Sequence, residues 1–576
     1  MRSCSFFAKK ISRIYAGCGI SQMPNIYSEV KGELKMANII IYGGGFQAAA
    51  AASKAASQAG NAQIYVIIPY PVSDTSKAFG SIGTLGGQNY FDVRSWNGTF
   101  PYKGSFEWWY SQGSSFYSTE AMAARLTADV TKYSNVTVYY GYDICSFNTA
   151  SNPYRISQVT IKKITRNSTT GFLQWSTGTH TLSGTVFIDA SDDGRLTRLV
   201  NFGGTVGRYD WPSSKLDSDE IGSGGKPRQQ VATLMFQVKN IQFNGQNSNN
   251  DMNWDTSTNG TKGVYGGRVT YANDSYIKSF NDYWGPRGFA IKPLNAAQDG
   301  NGSPNWWINT LLVFNVDGRA HERDRNTACF PSDMRSDYIT VDQAWVNARN
   351  MLTETNPYSF MTALKRFGGF SNAELVMDGG QPKVGVVMYI RETIHMAKDS
   401  GSRGNGTYNS NYEVTDHECH RAGTSPNNGS DAANYATRIG LNYYWSDINA
   451  YKFEDMKKNG EYIWGGAIAN KLRDDLHTNT YPVDDNSPHY PTYIPYNALT
   501  TNYVANLLIP GYAVGASSYA WAEMRVFPNL CVLGDAAGAA AAYAVNNNKQ
   551  PLYFSNSDIA AVQSILSNSC NAKLEK

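Results

Sequence analysis

The sequence predicts an α/β fold whose nucleotide-binding part is split between the two ends of the chain. Three observations predict it. An apolar run, Ile39-Ile40-Ile41, leads into Tyr42-Gly43-Gly44-Gly45-Phe46-Gln47-Ala48 and an alanine-rich stretch to Ala59, which reads as strand, glycine turn and helix. A second apolar run, Ile64 to Ile68, follows as the next strand of a βαβ unit. Near the other end, Leu530-Cys531-Val532-Leu533-Gly534-Asp535 and then Ala536 to Ala542 repeat the strand–glycine–helix order.

In a turn of the first kind Gly43 permits the tight bend and Gly45 lets the backbone approach a diphosphate. Ala48 allows the helix to pack closely on the strand. The helix N-terminus adds free N–H groups and partial positive charge. An acid about 20 residues on normally binds a ribose hydroxyl. Here the second strand runs into Ile67-Ile68-Pro69-Tyr70, and Asp74 comes several residues late.

The loop Gly80 to Asn89 is dense in glycine, so its backbone can lie against a ligand with no side chain between. Ser118 to Lys132 reads as a helix capped by Ser118 or Thr119. Residues 136–140, 155–164 and 185–188 read as strands, the last ending in Asp189-Ala190-Ser191-Asp192-Asp193-Gly194. Residues 210–300 lose periodicity and suggest long loops with short strands in an inserted region. Helical character returns at 341–364, residues 384–390 and 506–511 read as strands, and 400–435 as loop.

At 576 residues the chain exceeds one small core, so two domains, or one domain carrying a large insertion, are expected. A net charge of +3 gives no reason to expect nucleic acid or an anionic membrane as partner. Charged residues make up 17%, against roughly 25% in an average domain. Such a surface is less protected against self-association, which leaves a homo-oligomer open. The seven cysteines are odd in number and form no Cys-x-x-Cys, which points away from zinc ribbons and disulfide frameworks. No apolar run approaches the roughly 18 residues that span a bilayer. Residues 1–35 carry Arg2, Lys9, Lys10 and Arg13 with no acid before Glu29. They lack a secretory apolar core and read as an extension outside the fold, with the cytoplasm favoured and the compartment left unassigned.

Several pieces recur in a set order: Tyr42-Gly43-Gly44-Gly45, Gly83-Thr84-Leu85-Gly86-Gly87, Ile188 to Gly194, Gly368-Gly369-Phe370 and Ile390-Arg391-Glu392-Thr393. They continue with Ile494-Pro495-Tyr496, Asn506 to Gly511, and Arg525-Val526-Phe527-Pro528 leading into Gly534-Asp535-Ala536-Ala537-Gly538. In these the chain resembles FAD-dependent oxidoreductases of the glutathione-reductase and succinate-dehydrogenase type. More narrowly it resembles the bacterial FAD-dependent oxidoreductase family, some members of which are labelled xanthan-lyase-like. The resemblance implies a Rossmann-like FAD-binding domain split into residues 36–210 and 491–555. A large inserted α+β substrate domain would span 211–490, and a tail 556–576. FAD is the implied cofactor, with Gly43, Gly45 and Ala48 at the pyrophosphate and Gly86 and Gly87 near the flavin. Asp535, with Gly538 behind it, is implied at the ribityl chain or pyrophosphate, although an Asp at a strand tip also serves as a helix cap. Two departures stand out. Ala190-Ser191-Asp192-Asp193 replaces the family's Ala-Thr-Gly-Asp, and Ser518 takes the place of a frequent His.

A flavin brings the redox chemistry, and the protein brings position, charge and a proton carrier. Arg391 and Arg525 are the candidate guanidinium groups, for the flavin ring or for a substrate carboxylate. A structural pairing of Arg391 with Glu392 or Glu523 is the competing reading. His395 would share a helix face with Arg391 if that segment is helical, and is the leading general base. Asp416-His417-Glu418-Cys419-His420 matches no standard zinc spacing, and no metal is expected. The expected function is two-electron dehydrogenation of a small polar substrate, a sugar or hydroxy acid. The alternative is a degenerate member of the fold that binds or self-assembles.

Overall fold

The computed structural model describes residues 37–71, 78–200, 204–222, 225–243, 251–395, 411–473 and 488–576. Contacts divide the chain into Met1–Ala37 and Asn38–Lys576, and everything below concerns the second unit. The expected extension 1–35 and Asp74 lie outside the described residues.

The first strand, β1 (Asn38–Tyr42), leads through the glycine turn into α1 (Phe46–Gln58) and then β2 (Gln63–Ile68). Helices α2 (Ser105–Gly113) and α3 (Thr119–Thr131) follow, and Ser118 caps α3 by accepting the Ala121 N–H. Next come β3 (Val136–Tyr140), a three-stranded antiparallel meander of β4 (Tyr142–Ala150), β5 (Arg155–Arg166) and β6 (Leu173–Ser183), and then β7 (Val186–Asp189).

A second, mostly antiparallel sheet is built from β8 (Phe236–Lys239), β9 (Met252–Thr256), β10 (Lys262–Gly266), β11 (Phe289–Gln298) and β12 (Trp306–Val313). Its path runs β9-β10-β11-β12-β8 and ends on Glu374–Leu375. Residues 210–300, expected as long loops with short strands, hold four of these strands, β8 to β11, and two helices, Arg268–Asn273 and Ser275–Trp284. Trp254, Ile277 and Phe280 from these elements are buried in one core with Ile308 and Leu311. Residues 384–390, expected as a strand, make only isolated bridges, Val384 to Phe236 and Tyr389 to Thr233. The helical stretch at 341–364 breaks into Val341–Met351 and Phe360–Leu364.

The chain then returns to the first sheet. Strand β13 (Leu507–Leu508) pairs with β7, giving a five-stranded parallel sheet in the order β13-β7-β1-β2-β3. A parallel sheet is covered on both faces, which explains why Ile39, Ile40, Ile41, Phe187 and Ile188 are fully buried. Helix α4 (Ser518–Met524) and the 20-residue α5 (Phe527–Asn546) follow. Leu530–Asp535, expected as a strand, lies inside α5, because its small residues serve helix contact rather than pleating. A Cβ on Gly534 would sit 2.3 Å from the Gln47 carbonyl oxygen, and one on Gly538 would sit 2.4 Å from that of Ala51. The two glycines let α5 lie backbone-to-backbone on α1.

A buried ionic network ties the parallel sheet and the meander to the segment that follows β12. The Tyr42 hydroxyl donates to Asp143 Oδ1 at 2.8 Å. Arg195 reaches Asp143 at 3.2 Å and donates through both terminal nitrogens to Asp324, at 2.6 and 2.9 Å. Arg323 pairs with the other oxygen of Asp143. Arg195 and Asp324 are both fully buried, a geometry in which loss of one partner strands a charge.

Gly534→Ala and Gly538→Ala should each lower the free energy of urea unfolding by about 1–3 kcal/mol. Gly465→Ala, where an added Cβ meets nothing, should not lower it. Arg195→Ala should cost about 3–5 kcal/mol, read in the same assay.

Candidate functional site

The C-terminal ends of β1, β2 and β7 converge at the glycine turn, where ligands bind in open parallel sheets. Gly43 takes φ +130°, and a Cβ there would lie 2.3 Å from the Ala190 carbonyl oxygen. Beyond it the turn is covered by the chain itself. A Cβ on Gly45 would meet the Gln47 side-chain amide, with Oε1 at 2.4 Å and Nε2 at 2.9 Å, and one on Gly44 would meet the Tyr70 ring at 2.7 Å. Gln47 Nε2 donates to the Ala190 carbonyl at 3.0 Å and to Asp192 Oδ1 at 3.2 Å. Asp192 Oδ2 accepts from the Tyr70 hydroxyl at 2.9 Å and the Ser81 hydroxyl at 2.7 Å. Surface area leaves Asp192 partly exposed. Even so, desolvation raises its carboxyl above the usual range, against the pull of these donors. The adjoining cavity, lined by Tyr42, Tyr70, Asp192, Arg166 and Trp345, holds about 90 Å³. Ligand pockets commonly run to roughly 300–1,000 Å³.

The glycine loop lies against the second sheet. A Cβ on Gly87, at φ +88°, would meet the Trp307 indole at 2.3 Å, and one on Gly385 would meet the Gly86 carbonyl oxygen at 2.4 Å. Gly86 and Gly87 are thus packed closely by Gly385 and Trp307.

Beside this loop three cations gather. Arg391 and Arg525, both nearly fully buried, flank Tyr389. Arg525 donates to the Tyr389 hydroxyl and, at 2.9 Å, to Asp447, and the Arg391 guanidinium stands 4.5 Å from the centre of the Tyr389 ring. Arg391 also donates to the Val231 carbonyl at 2.6 Å, so the expected pairing with Glu392 or Glu523 is not what holds it. Arg525 Nε is buried and makes no hydrogen bond among the described residues. Lys292, from β11, donates to the Asn309 carbonyl at 2.9 Å. Desolvation, and then the Arg391 charge, bring its pKa down to about 7. Sequence reasoning missed Lys292, although Ile291-Lys292-Pro293 places a lysine within an apolar strand.

His395 stands apart from that group. Residues 391–393 are irregular, and His395 lies in a two-residue strand paired with Thr205–Val206. The helix face it was to share with Arg391 does not form, because the backbone here is extended. Its ring faces Asp210 at 3.6 Å and Glu392 at 3.9 Å. Burial lowers its pKa but the Asp210 and Glu392 carboxylates outweigh this and raise it. Burial raises Glu392 to about 7.

Asp535, expected at a strand tip, sits mid-helix and receives the Ser105 N–H at 2.9 Å and the Ser105 hydroxyl at 2.6 Å, at the start of α2. Ala48 lies fully buried in the first turn of α1. Ser518 accepts from the Trp211 indole at 2.6 Å. Ligand atoms of Asp416, His420 and Glu523 lie within 4.8 Å of one another, where the His420 Nδ1 meets both carboxylates, at 2.9 and 3.3 Å.

Glu392 and Lys292 act on stability in opposite senses. Between about pH 5 and 7 the folded chain keeps a Glu392 proton that the unfolded chain has released, so stability falls as pH rises. Glu392→Gln should flatten that fall, by roughly 2–3 kcal/mol across the window, in urea titrations. Above about pH 7 the folded chain has lost a Lys292 proton that the unfolded chain keeps, so stability is gained as pH rises. Lys292→Met should remove that gain between about pH 7 and 8.5.

The sequence matches the family described as FAD dependent oxidoreductase over residues 88–566. The match begins after the first glycine turn. No curated protein matches in sequence. Several solved structures show distant likenesses. A flavoprotein/dehydrogenase from Cytophaga hutchinsonii shares 10% identity at a TM-score of 0.26, over 61% of this chain and 66% of that one. A glycerol-3-phosphate dehydrogenase from Bacillus halodurans, complexed with FAD, shares 10% at 0.21, over 48% and 47%. Thermovibrio ammonificans THI4 shares 12% at 0.21, over 35% and 72%. The chain thus spans under two thirds of the first two of these proteins. The family match covers more than half of this chain's length, and the chain therefore belongs to the FAD-dependent oxidoreductases, a family of enzymes whose cofactor is FAD.

Proposed function

We propose that the chain removes two electrons from a small polar substrate, and that this substrate carries a carboxylate, as a hydroxy acid does. The observation behind this reading is the gathering of Arg391, Arg525 and Lys292 beside the Gly83–Gly87 loop, with Arg525 Nε still free to donate among the described residues. Guanidinium groups match a carboxylate in shape and charge. A sugar has no charge to repay their desolvation. In this reading Arg391 and Arg525 hold the carboxylate, and Lys292, near its neutral point at about pH 7, takes the hydroxyl proton at Nζ. Arg391 and Arg525 keep the role proposed for them from sequence, and Lys292 replaces His395 as base.

The domain reading is likewise ours: a Rossmann-like FAD-binding domain from 36–210 and 491–555, carrying a substrate domain over 211–490. The return of β13 to the sheet begun by β1 supports it. FAD would supply the redox chemistry when bound. The cradle does not fit it as it stands, because Gln47, Tyr70 and Asp192 fill the diphosphate position and Trp307 covers Gly87. No chemical step is therefore derived through it. The same filling favours the second reading, a family member that binds or self-assembles without a flavin.

The visible spectrum of the purified protein separates the two. A flavin band that bleaches with hydroxy acids and not with neutral sugars supports the proposal. A colourless protein that takes up no added FAD sinks it. If the band is present, Arg525→Met should raise KM for the acid by about 10- to 100-fold, the cost of a lost charged hydrogen bond.

A further inference from the structure

Three donors converge on one carboxylate at the glycine turn. They are Gln47 Nε2–H from the first turn of α1, the Tyr70 hydroxyl from the end of β2, and the Ser81 hydroxyl from the glycine loop, at 3.2, 2.9 and 2.7 Å from Asp192. All three elements surround the place that Gly45 leaves open, and the Gln47 amide lies where a Cβ of Gly45 would be. A dinucleotide site of this architecture keeps such room and such donors for a diphosphate. Here they already serve an anion that belongs to the chain.

We propose that Asp192, locked by Gln47, Tyr70 and Ser81, is an internal occupant of the diphosphate position, so that FAD binds only by displacing it. The inference rests on FAD being this chain's cofactor, as proposed above. Two effects oppose the ligand. The Gln47 amide and the Asp192 carboxyl fill volume that the phosphates need. The carboxylate also sets a negative charge against theirs, and the adjacent Asp193 adds to it rather than offsetting it. Of the cations close by, Arg198 is paired with Asp193, and Arg323, which lines the same cavity as Asp192, is paired with Asp143.

Equilibrium titration of the full chain with FAD and with ADP, followed by flavin fluorescence and by dialysis respectively, tests this. Asp192→Ala should bind both at least about tenfold more tightly than the unsubstituted chain, the size expected for removing one unit-charge repulsion close to the phosphates. Asp192→Asn, which keeps the shape and loses the charge, should fall between them. It carries the test if Asp192→Ala does not fold. Equal affinities, with FAD bound by all, overturn the inference and leave the flavin reading standing. A gain for FAD without one for ADP also overturns it, since ADP carries the diphosphate and no flavin. Binding of neither ligand by any of the three overturns both the inference and the flavin reading.

Discussion

The contact of α5 on α1 is the constraint on which the rest of the molecule depends. It joins the two ends of the described chain across the back of the parallel sheet, through glycine backbones at Gly534 and Gly538 that admit no side chain. Dispersion and apolar burial grow steeply with such closeness, and the alanines of both helices are fully buried as a result. With α5 so placed, Asp535 meets the start of α2 and holds it by two hydrogen bonds. The turn at Gly43–Gly45 is then set between β1, β2 and β7, with α5 closing the far side of α1.

Much of this was legible in the sequence and some was not, for physical reasons. The run from Ile39 to Ala59 was plain, because a buried parallel strand and an alanine-rich helix differ sharply in residue type. Leu530–Asp535 misled, since a short apolar run ending in Gly-Asp fits a buried strand and a buried helix equally well. In the interval 210–300 short strands were expected, but not where they would lie. β9 and β10 hold few large apolar residues, such as Trp254 and Val264, and tertiary pairing rather than local pattern defines them. Arg391 and Arg525 could be named from sequence because they adjoin recognisable pieces. Lys292 and the hold of Gln47 on Asp192 were not, because they arise only when distant segments meet.

Charge is arranged differently at the two ends of the site. Around Tyr389 stand Arg391 and Arg525, with Asp447 paired to Arg525 and Asp92 close by. Around the glycine turn the donors to Asp192 are neutral, and Asp193 beside it is paired with Arg198. Phosphate sites depend on positive potential or free N–H groups, and the helix N-terminus here is screened by the Gln47 side chain that folds back over it.

The Asp143–Arg195–Asp324–Arg323 network has a further consequence, for motion. It clamps the meander and the parallel sheet to the segment that follows β12, with four buried charges whose separation would expose each to an unfavourable medium. Proteins that admit ligands by swinging one body against another need a seam that opens cheaply. This seam is bolted instead, so the parallel sheet and the meander move together with the segment that carries Arg323 and Asp324.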